Sequence, residues 1–204
     1  CLEKVIEHHP MTGVSIVVSQ DGESAEVSKV VQEAQESLKS KGAHLTAAGD
    51  LPPRLTHINH KTKTRFENGY FALSNHYEFA MKNAFDTQQV YSRSKFSKVN
   101  RIIILEEDLE IAPDFFEYFG AVAPLLDADM QLLCASAWND NGQKSHVRDP
   151  SALFRGDFFP GLGWMMNRRI YDELRTKWPK AYWDDWLREP NQRKDRHIIR
   201  PEIS

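Results

Sequence analysis

The sequence is short of cysteine: only Cys1 and Cys134 occur, so no disulfide framework supports the chain. No apolar run approaches the roughly 20 residues that cross a bilayer, and no signal-peptide pattern is visible. Neither absence decides the compartment. A surplus of one charge is lacking too, since 26 basic residues face 29 acidic ones for a net charge of -3. That balance gives no electrostatic reason to expect nucleic acid or an acidic membrane as partner. The motifs HExxH, paired CxxC, P-loop and GxSxG are missing, which removes zinc protease, zinc finger, Walker-type nucleotide hydrolysis and serine hydrolase readings. No repeat or low-complexity segment interrupts the chain.

What is present suits a single α/β domain: 204 residues, 41% hydrophobic and 27% charged. Leu2, Val5 and Ile6 share a helical face, and Val14 to Val18 is a short β-rich run before the turn signal Ser19-Gln20-Asp21-Gly22. Val27, Val30, Val31, Ala34 and Leu38 recur at helical spacing up to Gly42. Leu55 to His60 reads as a second strand, and Tyr70, Leu73, Tyr77, Met81 and Phe85 as a helix. A polar stretch from Ser92 to Asn100 leads into Arg101 to Leu105, whose apolar run predicts a parallel strand buried on both faces. Asp114 to Leu126 is helical behind Pro113, and Leu132 to Ala137 is another strand. Trp138 to Trp164 reads as irregular, followed by a helix at Arg168 to Leu174 and a last strand at His197 to Ile199. Alternating strands and helices followed by a loop-rich half predict a Rossmann-like sheet with an active-site half appended. The helical opening without a cap and the ending Arg200 to Ser204, just after an apolar pair, lead us to expect a piece truncated at both ends.

Two acidic segments carry chemistry. Glu106, Glu107 and Asp108 follow the strand Ile102 to Leu105 directly. Three acids at the carboxyl end of a strand repel one another unless something positive sits there, and oxygen ligands suit magnesium or manganese on a diphosphate. The plain alternative is a solvated acidic turn. Trp178 to Trp186 joins aromatic rings to the adjacent carboxylates Asp184 and Asp185. Ring faces pack against sugars, and carboxylates accept hydroxyl hydrogen bonds or remove a proton. The alternative here is a helix start with its acids near the positive dipole end and its tryptophans in the core. Phe158 to Trp164 adds an aromatic, glycine-turned loop that forms either a pocket wall or ordinary packing. Among the histidines, His57 and His60 read as structural, His8 and His9 as the start of a surface turn, and His76 as a partly buried helix residue.

The segments Leu105 to Phe119, Ser136 to Gly142, Asp157 to Trp164, Lys177 to Trp186 and Ile199 to Ser204 together closely resemble the N-acetylglucosaminyltransferase I family, in family order and over about half the chain. The resemblance implies a partial GT-A catalytic domain. Residues 1 to about 110 would form its nucleotide-sugar-binding half, and residues from about 111 to 204 its acceptor and catalytic half. It implies UDP-N-acetylglucosamine as donor, a mannose-terminated glycoprotein N-glycan as acceptor, manganese as the metal and inversion at the anomeric carbon. Carried over by position, Asp108 is the metal ligand and Asp184 the catalytic base. Glu106 and Glu107 contact the donor sugar and the uridine part, Asp21 and His76 lie on the uracil side, and Leu162 and Trp183 stand beside the transferred sugar.

Some positions depart from the family pattern. Glu107 replaces the usual aspartate, lengthening the reach by about one methylene. The related protein O-linked-mannose enzyme resembles the Glu-Glu-Asp form, whereas Trp183-Asp184-Asp185-Trp186 resembles the N-glycan enzyme. Cys134 matches a cysteine whose partner in animal relatives stands where this chain has His197, so a buried free thiol is expected. The family's first strand, stem and membrane anchor would precede Cys1, and a donor-closing loop would follow Ser204. Localisation in the Golgi lumen as part of a type II membrane protein is thus implied by the resemblance alone. A sugar-nucleotidyltransferase and a non-catalytic sugar-binding module remain as readings of other classes. The first needs a glycine-rich basic loop near its start, and the second needs no joint use of Asp108 and Asp184.

Overall fold

The computed structural model describes residues 1–11, 13–43, 53–62, 65, 67–86 and 99–204. In chain order its elements are α1 (Leu2–His8), β1 (Ile16–Asp21), α2 (Ala25–Lys41), β2 (Leu55–His60), α3 (Gly69–Asp86), β3 (Arg101–Ile104), α4 (Phe115–Ala128), β4 (Leu132–Ser136), β5 (Leu153–Gly156), β6 (Trp164–Asn167), α5 (Arg168–Leu174), α6 (Trp183–Arg188), α7 (Pro190–Arg193) and β7 (His197–Pro201). The fold is mixed α/β. Most of the polar stretch before β3 lies outside the described residues.

Strands β1 and β2 pair in parallel, joined through α2, and form a two-stranded sheet. The boundaries of α2 have visible causes. The Ser24 side chain accepts from the Val27 N–H at 3.3 Å, and the Gly42 N–H closes the last turn on the Leu38 carbonyl at 3.0 Å. Val31, Ala34 and Leu38 turn its apolar stripe onto Ile6 and Leu55, giving this end of the molecule its own small core.

The larger sheet runs β3-β6-β4-β7-β5 and is mixed: β4 and β7 are parallel, and the other pairs antiparallel. Alternation along its strands sorts side chains to two faces. Trp164, Met166, Leu133, Cys134 and Ile198 join α3, α5 and α6 on one side. Met165, Leu132, Ala135 and Ile199 join Phe115, Phe119, Val122 and Leu126 of α4 on the other. Helices thus cover both faces of this sheet.

Several expectations need correction. Strand β3 is not a parallel strand buried on both faces. It lies at one edge of this sheet, pairs antiparallel with β6, and is only half-buried along Ile102 to Ile104. Its apolar residues do pack on both sides, Ile102 and Ile104 against one core and Ile103 against the other, so its hydrophobic run reported burial but not direction. The irregular region contains β5, and Trp164–Asn167 forms β6, which no periodicity announced because all four of its residues are buried. His9 does not start a surface turn. It is buried with its ring edge-on to Phe116 at 5.8 Å, and its Nδ1 accepts from the Met11 N–H, while His8 ends α1.

Both cysteines are free, as expected, and Cys134 is fully buried in β4 opposite Ile198, with His197 paired to Leu132 instead. Burial pushes its thiol far above the usual cysteine range. In the native protein, brief treatment with an alkylating reagent at neutral pH should modify Cys1 and spare Cys134, and denaturant should expose both. Mass spectrometry of the digested protein reads the difference.

Candidate active site

Register places the candidate segments at one end of the sheet. Ile104 and Ser136 both pair with Trp164, so the ends of β3 and β4 and the start of β6 lie side by side. Three connections therefore meet there: the acidic turn after β3, the chain after β4, and the loop entering β6. The loop is held closely. The Ser136 hydroxyl donates to the Leu162 carbonyl at 2.9 Å, and the Ala137 N–H donates to the Gly163 carbonyl at 2.8 Å. Gly163 has φ of +48°, the left-handed conformation that a glycine adopts without strain, and it packs beside Leu105 and Ala137. Leu162 is thereby fixed at the root of the acidic turn.

Glu106 is half-buried, whereas Glu107 and Asp108 are exposed in the turn, which the Leu109 N–H closes on the Glu106 carbonyl at 3.3 Å. Tyr77 of α3 meets this turn. Its hydroxyl donates to Glu106 Oε1 at 2.5 Å, and its ring stacks on Trp183 with centroids 4.2 Å apart. Burial first, then the negative charges of Glu106, Asp184 and Glu107, push the phenol pKa far up. The hydroxyl therefore stays a donor, and the acids of the two predicted segments face one buried ring.

The segment carrying Asp184 is clamped along α3. Residues Tyr70, Ser74 and Tyr77 share one helical face. Tyr70 stacks on Tyr182 at 4.6 Å, the Ser74 hydroxyl donates to the Pro179 carbonyl at 2.7 Å, and Trp178 Nε1 donates to the Ser74 carbonyl at 3.0 Å. Tyr182 itself is left-handed, with φ 52° and ψ 47°. For a tyrosine this conformation costs about 1–2 kcal/mol. It reverses the chain so that Trp183 turns into the core and α6 begins at once. The helix-start reading of the Trp-Asp segment holds: Trp183 is core, and Asp184 and Asp185 sit in the first helical turn.

Arg188 secures this turn. Its Nη1 lies 3.1 Å from Asp184 Oδ2 and 2.8 Å from Asp185 Oδ1, its Nε donates to the Phe159 carbonyl, and its guanidinium covers Phe158. Asp185 thus pairs with arginine and does not cap the helix, since no side-chain cap bond is made. Asp184 is the less exposed of the two, its side chain 40% accessible against 71% for Asp185.

A second group lies at the ends of β1 and β2. Asp21 and His60 occupy the last paired position, with His60 Nδ1 3.0 Å from Asp21 Oδ1. His60 stacks nearly parallel on His76 at 5.7 Å, and His76 Nε2 is 2.8 Å from the Ser19 hydroxyl. Burial lowers the His76 pKa, while Asp21 and Glu107 oppose the shift, so His76 lies within electrostatic reach of both acids. His57 bonds Gln20 at 2.9 Å, consistent with its structural reading.

Of the predicted residues, Glu106 and Trp183 thus touch Tyr77, with Asp184 and Glu107 in electrostatic reach of its hydroxyl, while Asp21 and His76 both meet His60. Asp108 follows in the same exposed turn. Among the described residues no three His, Cys, Asp or Glu side chains gather as an ion cage. Sequence reasoning missed the junction residues Tyr77 and Tyr182. The helical period of α3 identifies Tyr77 only as core, and no sequence signal announces the left-handed Tyr182.

The GNT-I family model matches residues 1–204. A curated relative, the alpha-1,3-mannosyl-glycoprotein 2-beta-N-acetylglucosaminyltransferase of Arabidopsis thaliana, is 55% identical over 134 residues. That match covers 66% of this chain and 28% of the relative's length.

Proposed function

The chain belongs to the GNT-I family, and on that premise we propose that its full-length protein transfers N-acetylglucosamine from UDP-N-acetylglucosamine to the 2-hydroxyl of an α-1,3-linked mannose on N-glycans. The observation that carries this reading is the junction at Tyr77, which joins the acidic turn to the start of α6. A sugar-binding module has no need of that convergence.

Asp184 is the base in this reading. Arg188 engages its Oδ2, and we assign Oδ1 to the acceptor hydroxyl. As the proton passes to the carboxylate, the mannose oxygen forms a bond to the anomeric carbon from the face opposite UDP. The bond to the diphosphate oxygen breaks with its electron pair, and an α-linked donor becomes a β-1,2-linked product in one displacement. Such proton transfer typically contributes about 10²–10⁴-fold. Glu106 accepts from a donor-sugar hydroxyl, Trp183 and Leu162 border that sugar, and Asp21, His76 and Glu107 lie on the uridine side.

Manganese fits the donor set as a shared ligand. One exposed carboxylate, Asp108, beside a second acid in an open turn suits a hard cation that takes its remaining oxygens from substrate phosphates and water. Asp108 would hold it, and when bound it supplies positive charge to the departing diphosphate.

We extend the mixed α/β architecture to a GT-A fold, with residues up to about 110 as the nucleotide-sugar half and the remainder as the acceptor half. Residence in the Golgi lumen through an anchor on the full-length protein belongs to the same proposal. The test is incubation of the full-length protein with UDP-N-acetylglucosamine, manganese and a mannose-terminated N-glycan. We expect one added N-acetylglucosamine in β-1,2 linkage, read by mass and NMR. Release of UDP without product, or transfer only to an O-mannosyl peptide, would overturn this assignment.

A further inference from the structure

We propose that Tyr77 is a positioning residue for transfer: its hydroxyl holds the Glu106 carboxylate toward the donor sugar while its ring holds the start of α6, so that donor side and base are set by one side chain. This inference rests on the transferase reading above.

Three observations carry it. First, the 2.5 Å bond from the Tyr77 hydroxyl commits one oxygen of Glu106 and leaves the other to accept from a ligand. A half-buried carboxylate on a short turn has several rotamers, and a fixed donor selects one of them. Second, the same ring stacks on Trp183, which also lies parallel to Trp164 at 5.9 Å and to Trp178 at 6.0 Å. Any tilt of Tyr77 therefore passes into the residue preceding Asp184. Third, the helix behind it is anchored independently. Tyr70 and Ser74 tie α3 to the same segment, and Phe85 stacks on Tyr171 of α5 at 4.3 Å. Loss of the hydroxyl alone leaves these contacts in place, so positioning and folding can be separated.

The direction of the effect follows from where Glu106 acts. Its neighbours at the ends of β1 and β2 serve the uridine part, and Glu106 serves the sugar. Freeing Glu106 should therefore weaken use of the nucleotide sugar without weakening UDP itself. Loss of one charge-assisted hydrogen bond corresponds to about a 10- to 100-fold effect.

In the full-length enzyme, Tyr77→Phe should lower kcat/KM for UDP-N-acetylglucosamine by about 10- to 100-fold, with the Kd for UDP and the thermal midpoint close to wild type. Glu106→Ala, with or without Tyr77→Phe, completes a double-mutant cycle, and the two losses should be strongly non-additive because the hydroxyl acts only through that carboxylate. A Tyr77→Phe enzyme with wild-type kcat and KM, or a cycle in which the losses simply add, overturns the positioning role. A drop in thermal midpoint with parallel losses in UDP binding and turnover overturns it as well, by assigning Tyr77 to the core alone. Failure of the wild-type protein to transfer at all is a different result, and it removes the transferase reading.

Discussion

Asp184→Asn in the full-length enzyme should reduce kcat by about 10²–10⁴-fold while leaving UDP affinity nearly unchanged. An amide cannot take the acceptor proton, but it keeps the shape of the helix start and can still face Arg188. The neighbouring acid provides the control. Asp185 also pairs with Arg188, but its side chain is largely exposed. Removing its charge should change stability by less than about 1 kcal/mol and turnover only slightly, as for other solvent-exposed ion pairs. Side chains at successive helix positions point in different directions, so the two acids do not serve one hydroxyl interchangeably. Turnover and UDP binding of both variants, with folding checked by circular dichroism, decide between them. An active Asp184→Asn beside an inactive, folded Asp185→Asn would reverse the assignment.

Asp108→Asn should have the second large effect. As an exposed acid just past β3, Asp108 has no place in any of the three cores, so its loss should not unfold the protein. In the proposed reading it removes a charged oxygen ligand. Transfer should then fall sharply at ordinary manganese concentration, and the manganese needed for half-maximal rate should rise. A variant with wild-type activity and wild-type manganese dependence would move the ligand role elsewhere.

The sequence was a good guide wherever one residue's chemistry or a simple period decides the outcome. Helix α2 ends at Gly42, the Leu55–His60 strand occupies its expected span, and Arg168–Leu174 is the helix its pattern predicts. The acidic triplet and Asp184 were visible as residue types at the ends of elements. Their convergence was not, because it depends on the antiparallel pairing of β6 with both β3 and β4, and β6 has no period of its own when both its faces are buried. Tyr77 was hidden for a related reason. A helical stripe that packs in a core and one that reaches into a site use the same spacing. His9 shows the converse error, since a polar residue after a helix suggests a surface turn until an aromatic neighbour, here Phe116, covers it.

The strand order of the larger sheet also bears on how the protein is made. None of its five strands pairs with the next strand in sequence. As synthesis proceeds from the amino end, β3 emerges long before its partner β6 begins at Trp164, and β4 must wait for both β6 and β7. Closing such distant pairs costs chain entropy before any contact compensates, which slows folding and leaves apolar strands open in the meantime. During that interval Ile102, Ile103 and Ile104 have no partner in the sheet to which they belong. The small β1–β2 unit can form while the rest is still being translated, so the two groups of site residues are born at different times. The acidic turn acquires its scaffold only once the segment through Asn167 has been delivered.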